Sequence, residues 1–285
     1  MFLENKSPER YLQGTSLEIF YRLFLIESTM KSSILQVILL VERSLKTKLA
    51  YVISKNFGVK YDSDLDNPTD NYLYKRHYSS RRNERNAILK QILERSASAP
   101  KNSNITYYKN KHNHVPAWIL VDRLTFGLAM KWYGILRPSE KEEIINMVFP
   151  ENLELEMDEK KELFIQLLKL VKDYRNIISH GVRLAFSTSN IQINQETFKK
   201  IVPNNVLSDE DIKNGFGNSC LYVCFIACMI LLQDSEAFWF CMAPFVTWER
   251  PIAEQNLTSS ILLRQMFNLP PNYIERLHLI DNIFN

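Results

Sequence analysis

The sequence predicts an all-α protein, and three observations carry that prediction. Apolar residues recur at three- and four-residue spacing over several long stretches, the period of one helix face. Glycine is scarce, 7 residues in 285, while Leu, Ile, Glu and Lys are plentiful, a balance that favours helices over a β-sandwich. Strand-like alternation is confined to one weak stretch, "FSTSNIQINQETF". Apolar residues make up 46% of the chain, enough to bury a sizeable core.

The first long helix is read in "SSILQVILLVERSLKTKLAYVISKNFG", where Ile34, Ile38, Val41, Leu45, Leu49 and Val52 repeat at helical spacing and Gly58 supplies the stop. Glu42 adjoins that stripe, either with its carboxylate at the wet edge or as the partner of a buried arginine. An acidic loop, "YDSDLDNPTDN", follows, then a basic segment and a polar break, "SASAPKNSN". "VPAWILVDRLTFGLAMKWYGILRPSEKEEI" reads as one helix opened by Pro116 and ended by Pro138, with Trp118, Val121, Leu124, Leu128 and Trp132 on one face. Gly127 lies within it, where glycine costs about 1 kcal/mol relative to alanine and marks the close approach of another backbone.

"DEKKELFIQLLKLVKDYRNIISHG" is the most regular helix. One line runs Phe164, Leu168, Val171, Arg175, Ile178, and a second runs Leu163, Leu167, Leu170, Tyr174, Ile177. Lys160, Lys161, Lys169 and Lys172 take the wet side, and Gly181 follows the helix end. "FSTSNIQINQETF" is a short hairpin or a plain loop. "CLYVCFIACMILL" spans 13 residues, short of the roughly 20 that cross a bilayer, and reads as a buried core helix. "SSILLRQMFNLPPNYIERLHLI" closes the chain.

Cys220, Cys224 and Cys228 repeat every four residues inside that apolar run, and with Cys241 they read as small buried residues in a reducing compartment. The first residues, "MFLENKSPERYLQ", hold no apolar signal region, so the expectation is a soluble, cytoplasmic protein without a membrane partner. No His/Cys/Asp spacing fits a zinc site and no Gly-rich phosphate loop is present, so no metal or other cofactor is expected. Formal net charge is only +3, but Tyr74 to Lys111 carries +8 and the remainder −5. A basic segment on a near-neutral body suggests a polyanion partner. Arg81, Arg82 and Arg85 would share a helix face there, joined by Lys109 and Lys111, with Tyr74, His77, Tyr78, Tyr107 and Tyr108 available to stack on bases.

The candidate site is "RNIISHGVRL". Arg175 falls on the apolar line, and a buried guanidinium needs an anion or acceptors. Asn176 stands four residues before His180, on its face, where its amide can fix the imidazole tautomer. Such a set suits metal-free RNA cleavage. A base takes the 2′-hydroxyl proton, that oxygen attacks phosphorus, and an acid protonates the departing 5′-oxygen. Arginine stabilises the charge that builds up in the transition state. A purely structural set, with Arg175 paired to Glu42 and His180 capping a helix, fits the bare spacing as well.

"RNIISHGVRL" resembles the R-N-x-x-x-H signature of the HEPN superfamily, and more narrowly the Abi-like abortive-infection family, AbiD/AbiF group. Two further blocks resemble that family in the same order: "LLVERSLKTKLAYVISKNFG", with Glu42 and Arg43, and "VPAWILVDRLTFGLAMKWYGIL", with Pro116, Trp118, Thr125, Phe126 and Gly127. The resemblance runs from about Ser32 to Leu184. It departs at Asp122, where the family usually has Glu, and at Ala185 and Phe186, where Trp then Asn often follow "RL".

The resemblance implies a HEPN-type helical bundle, a single domain over 1–285. Its core would cover about 32–58 and 116–235, with a basic insertion at 72–112 and a helical extension at 236–285. It implies a homodimer in which Arg175, Asn176 and His180 of two chains form one composite catalytic site, two copies of His180 supplying acid and base. It implies a phage-defence ribonuclease toxin restrained by a small noncoding RNA, with Arg183 added to the RNA contacts. The alternative is a HEPN module that binds RNA without cutting it.

Overall fold

The computed structural model describes residues 3–4, 10–11, 16–80, 84–217, 219–255 and 257–280. Within them the protein is all-α, as the composition predicts, apart from one small antiparallel pair, β1 (Leu3–Glu4) with β2 (Arg10–Tyr11).

Helix α1 (Leu17–Phe57) is the axis of the molecule. It begins well before Ser32, at an N-cap where Ser16 accepts from the Ile19 N–H, and ends at Gly58, whose φ of 88° only glycine takes readily. Its first turns expose Leu17, Ile19, Tyr21 and Phe24, so they carry no core stripe that periodicity could detect. By length and composition α1 alone among the described helices could cross a membrane. Its stripe from Met30 to Ile53 is nevertheless packed inside the protein.

After a 3-10 turn come α2 (Arg85–Ala97) and α3 (Asn104–His112). The basic segment is thus folded, anchored by buried Tyr72, Tyr78, Ile88, Leu89, Ile92 and Ile105. The block expected as one helix up to Pro138 is two, α4 (Ala117–Leu120) and α5 (Phe126–Ile135), and α6 (Pro138–Asn146) follows. Thr125 is the reason for the first break. Its side chain accepts from the Leu128 N–H at 3.2 Å and its own backbone is extended, a cap that starts a new helix. The helix before Pro138 ends as expected, at Ile135, and Pro138 also opens α6 at its first position, where a missing N–H costs nothing. Gly127 is therefore near a helix start, and its close neighbour is the Lys172 side chain rather than a backbone.

Helix α7 (Met157–Ser179) opens on a reciprocal cap between Glu156 and Glu159. Lys160, expected in water, is buried, its ammonium donating to the Pro150 carbonyl at 3.2 Å. The stretch "FSTSNIQINQETF" is a loop that runs into α8 (Gln195–Ile201), capped by Asn194. Then follow α9 (Asp209–Lys213), α10 (Leu221–Leu232), α11 (Ser235–Gln255), α12 (Leu257–Met266) and α13 (Tyr273–His278). Helix α1 packs on α11, α10, α4, α6 and α7, and α7 packs closely on α10, whose residues Leu221 to Leu231 are all buried. The four cysteines are free thiols inside this core.

Candidate functional site

The last turns of α7 have a dry side and a wet side. Tyr174 and Ile178 are buried, and the Tyr174 hydroxyl donates to the Ser219 carbonyl at 2.9 Å. Burial pushes that phenol far above its ordinary range, so it stays neutral. This pins the helix and turns Arg175 and Asn176 to a half-buried flank and His180 to solvent. His180 closes the helix, its N–H donating to the Asn176 carbonyl at 3.0 Å. The Gly181 N–H then reaches back only to Ile178, at 3.4 Å, a tighter turn. Gly181 itself adopts φ +70°; a Cβ there would meet nothing, so conformation rather than space asks for glycine.

Arg175 forms no ion pair or hydrogen bond among the described residues, and its Nε is buried without a partner. Glu42 does not serve it: that carboxylate is paired with Lys46 on its own helix, at 2.7 Å. The internal arginine–glutamate pair that bare spacing allowed is thus absent. The amide-to-imidazole bond between Asn176 and His180 is absent as well; the pair is linked through backbone alone. Arg175 and His180 stand five residues apart, about 140° around the helix, so one chain does not aim both at one point.

The loop after α7 is tied back to the body. The Leu184 N–H donates to Glu27 Oε1 at 2.6 Å, and Glu27 also pairs with Lys31 at 2.8 Å. The Phe186 N–H donates to the Met266 carbonyl at 2.6 Å, holding a phenylalanine at φ 60°, a backbone that bulky residues rarely adopt. Val182 and Phe186 are exposed, and so are Tyr21 and Phe24, about two turns and one turn before Glu27 on α1. Arg183 is exposed beside them.

The expected RNA contacts fare unequally. Arg81 and Arg82 lie outside the described residues. Arg85 is the first residue of α2, half-buried, with its Nε on the Asn86 side chain at 3.2 Å. Lys109 and Lys111 are exposed on α3; the Lys109 ammonium reaches the Ser96 carbonyl at 3.4 Å. Of the five rings, Tyr107 is open to solvent. Tyr78 is not available: it is buried, donating to the Tyr72 carbonyl at 2.7 Å and accepting from the Trp132 indole at 3.1 Å. His77 is stacked on Phe57 at 4.5 Å, and burial, then Arg137, lowers its pKa. No group of three His, Cys, Asp or Glu is placed to hold a metal ion among the described residues.

The unpartnered Arg175 lies inside the stretch that a protein-family model matches. A family model described as Abi-like protein matches residues 1–185. The chain belongs to the Abi-like protein family. The matched stretch takes in Glu42, Arg43, Thr125, Gly127 and the whole of Arg175 to Leu184. No curated protein and no solved structure matches the chain. In this Abi-like protein the matched region stops one residue past Leu184, just before the strained Phe186.

Sequence reasoning missed Glu27 and Lys172. Glu27 carries no local signal, since its role depends on a loop 157 residues away. Lys172 stands four residues before Asn176 and eight before His180, a helical spacing that was there to be read.

Proposed function

We propose that this Abi-like protein is a metal-independent endoribonuclease toxin of a bacterial abortive-infection, phage-defence system, with a HEPN-type site shared by two chains. The observation that carries the reading is Arg175, a half-buried guanidinium whose buried Nε has no acceptor. A cation in that position costs stability until an anion arrives. An RNA phosphate is such an anion. The exposed apolar margin of Tyr21, Phe24, Val182 and Phe186 beside the site suits a second copy of the chain.

In the dimer, one His180 takes the 2′-hydroxyl proton and the freed oxygen bonds to the adjacent phosphorus. The bond from phosphorus to the 5′-oxygen breaks, and the second His180 donates the proton to that oxygen. Arg175 of each chain holds the phosphoryl oxygens, and Asn176 orients the substrate or the imidazole. The products are a 2′,3′-cyclic phosphate and a 5′-hydroxyl. Restraint by a noncoding RNA, and the plan of one domain with a basic insertion at 72–112, rest on the family resemblance. The RNA contacts assigned to Arg81, Arg82, Arg85, Lys109 and Lys111 rest on the charge of the basic segment, and that of Arg183 on the resemblance.

The test is RNA cleavage in EDTA by the purified chain, with its mass in solution measured in parallel. His180→Ala and Arg175→Ala should each abolish cleavage, and the active species should be a dimer. Full cleavage by His180→Ala, or a strict monomer that still cuts, refutes the proposal. The second reading, an RNA-binding module without catalysis, is favoured by the lack of any hydrogen bond on the His180 imidazole among the described residues. It expects His180→Ala to keep full RNA affinity and the wild-type chain to leave RNA intact.

A further inference from the structure

Helices α2, α5 and α7 enclose an open cleft of about 480 Å³ whose wall includes Thr125 and Gly127. Three cations line it, one from each helix: Arg95, Lys131 and Lys172. None of the three makes an ion pair or hydrogen bond among the described residues, although other lysines of the same helices' surroundings, such as Lys161 and Lys200, are paired with carboxylates. Glu94 is the one carboxylate on the cleft wall, and it pairs with none of them.

The Lys172 ammonium is drawn further inward. A Cβ on Gly127 would stand 3.3 Å from Lys172 Cε and 3.7 Å from its Nζ, so the lysine lies across the first turn of α5, where a larger residue would push it aside by a few tenths of an ångström. That turn is the positive end of the α5 dipole, where a cation is repelled and an anion attracted. Three like charges and a like-signed helix end, set against the single carboxylate of Glu94, are stabilised by an anion in the cleft.

Position says which anion. Lys172, Asn176 and His180 recur every four residues along one flank of α7, and eight residues of helix separate Lys172 from His180 by about 12 Å. A single strand that crosses the candidate site therefore reaches the cleft within a few phosphates.

We propose that the Arg95, Lys131 and Lys172 cleft is a second backbone-binding site, which grips a phosphodiester of the same RNA strand that passes His180. This rests on the RNA reading above and adds to it the path of the strand. The cleft sets grip and register, and takes no part in bond breaking.

The probe is a fluorescein-labelled 20-nucleotide polyuridine, bound in EDTA to the full chain carrying His180→Ala, at several salt concentrations. Added to that parent, Arg95→Gln with Lys131→Gln and Lys172→Gln should weaken binding at least about tenfold at 100 mM salt. Three lost phosphate contacts should reduce the slope of log affinity against log salt by roughly 2. Gly127→Glu, a single change that places a carboxylate under Lys172, should act in the same direction and serves if the triple variant does not fold.

Parental affinity and slope in folded variants of both kinds overturn the cleft proposal and leave the RNA reading standing. A parent that binds no RNA overturns both. If inorganic phosphate or uridine monophosphate raises the melting temperature through these cations while the RNA slope is unchanged, the cleft serves a small phosphate ligand and the proposal fails.

Discussion

Replacing Arg175 by methionine should make the protein more stable and inactive. The side chain is half-buried, its Nε has no acceptor, and no ion pair offsets its charge among the described residues. A buried donor left unsatisfied costs about 1–3 kcal/mol; partial exposure of the guanidinium confines the gain to the lower part, about 1–2 kcal/mol. Methionine keeps the apolar stem and discards the donor. At about 2.1 cal/mol/K per residue, 285 residues give an unfolding entropy near 0.6 kcal/mol/K, so the melting temperature should rise by about 2 to 3 °C. The assay is thermal unfolding of wild type and Arg175→Met without RNA, at matched concentrations, because a dimer melts in a concentration-dependent way. If Arg175 already has its anion in the RNA-free protein, supplied by the second chain for instance, Arg175→Met destabilises instead. A fall in melting temperature would therefore refute the reasoning that the missing partner is the nucleic acid.

Thr125→Ala removes the cap that starts α5 and should lower stability by about 1 kcal/mol in chemical denaturation; no change would mean that the break after Leu124 has another cause. Glu27→Ala frees the Leu184 N–H and should reduce RNA cleavage while leaving circular dichroism unchanged; unaltered cleavage would show that the loop needs no tether. For Asp211, burial raises the carboxyl pKa, but hydrogen bonds from Ser208 and the Arg276 ion pair at 2.6 Å outweigh it and leave it below its ordinary value of 3.8. A depressed carboxyl contributes stability above its unfolded pKa and loses it as pH falls through the folded one. Wild type should thus lose more stability than Asp211→Asn between pH 5 and pH 2 in acid titrations, and parallel curves would contradict this. Burial pushes the Cys220 thiol up to about 11, so at pH 8 roughly one molecule in a thousand carries thiolate there. Disulfide reagents should label Cys220 and Cys224 only after unfolding; rapid labelling of the native protein would disprove their burial.

Periodicity found α1, α7 and α10 because each has a stripe or a whole surface in the core. It lost the first turns of α1, from Leu17 onward, since apolar residues exposed there leave no pattern and only the Ser16 cap marks the start. It fused α4 and α5 because their apolar residues stay on one face across Thr125, and a cap interrupts a helix without interrupting the pattern. Thr125 and Pro138 were both readable as starts. Lys160 was misplaced because its acceptor, the Pro150 carbonyl, is a meeting of two segments and not a property of the helix. The same limit applies to the site. The apolar line put Arg175 against packed protein, which holds, but the lack of any partner is a relation between α7 and everything around it. The Tyr78 ring offered for stacking is spent on Tyr72 and Trp132 for the same reason.

Along α7 the treatment of charge changes from one end to the other. In the first half, Lys160 is satisfied by a carbonyl, Lys161 by Glu142 at 2.7 Å, and Glu159 by Lys200 at 2.5 Å. In the second half Lys169, Lys172 and Arg175 have no partner among the described residues, and the one carboxylate, Asp173, accepts from the Ser189 hydroxyl at 2.5 Å rather than from a cation. Exposed ion pairs contribute little stability, so folding alone does not select for this gradient or against it. Binding does. A protein partner with a single acidic side chain would satisfy one of these cations and leave the others, spread over a turn and a half, uncompensated. The RNA strand proposed above, with a negative charge at every step, satisfies them in series, and Lys169 and Lys172 lie within about 80° of His180 around the helix.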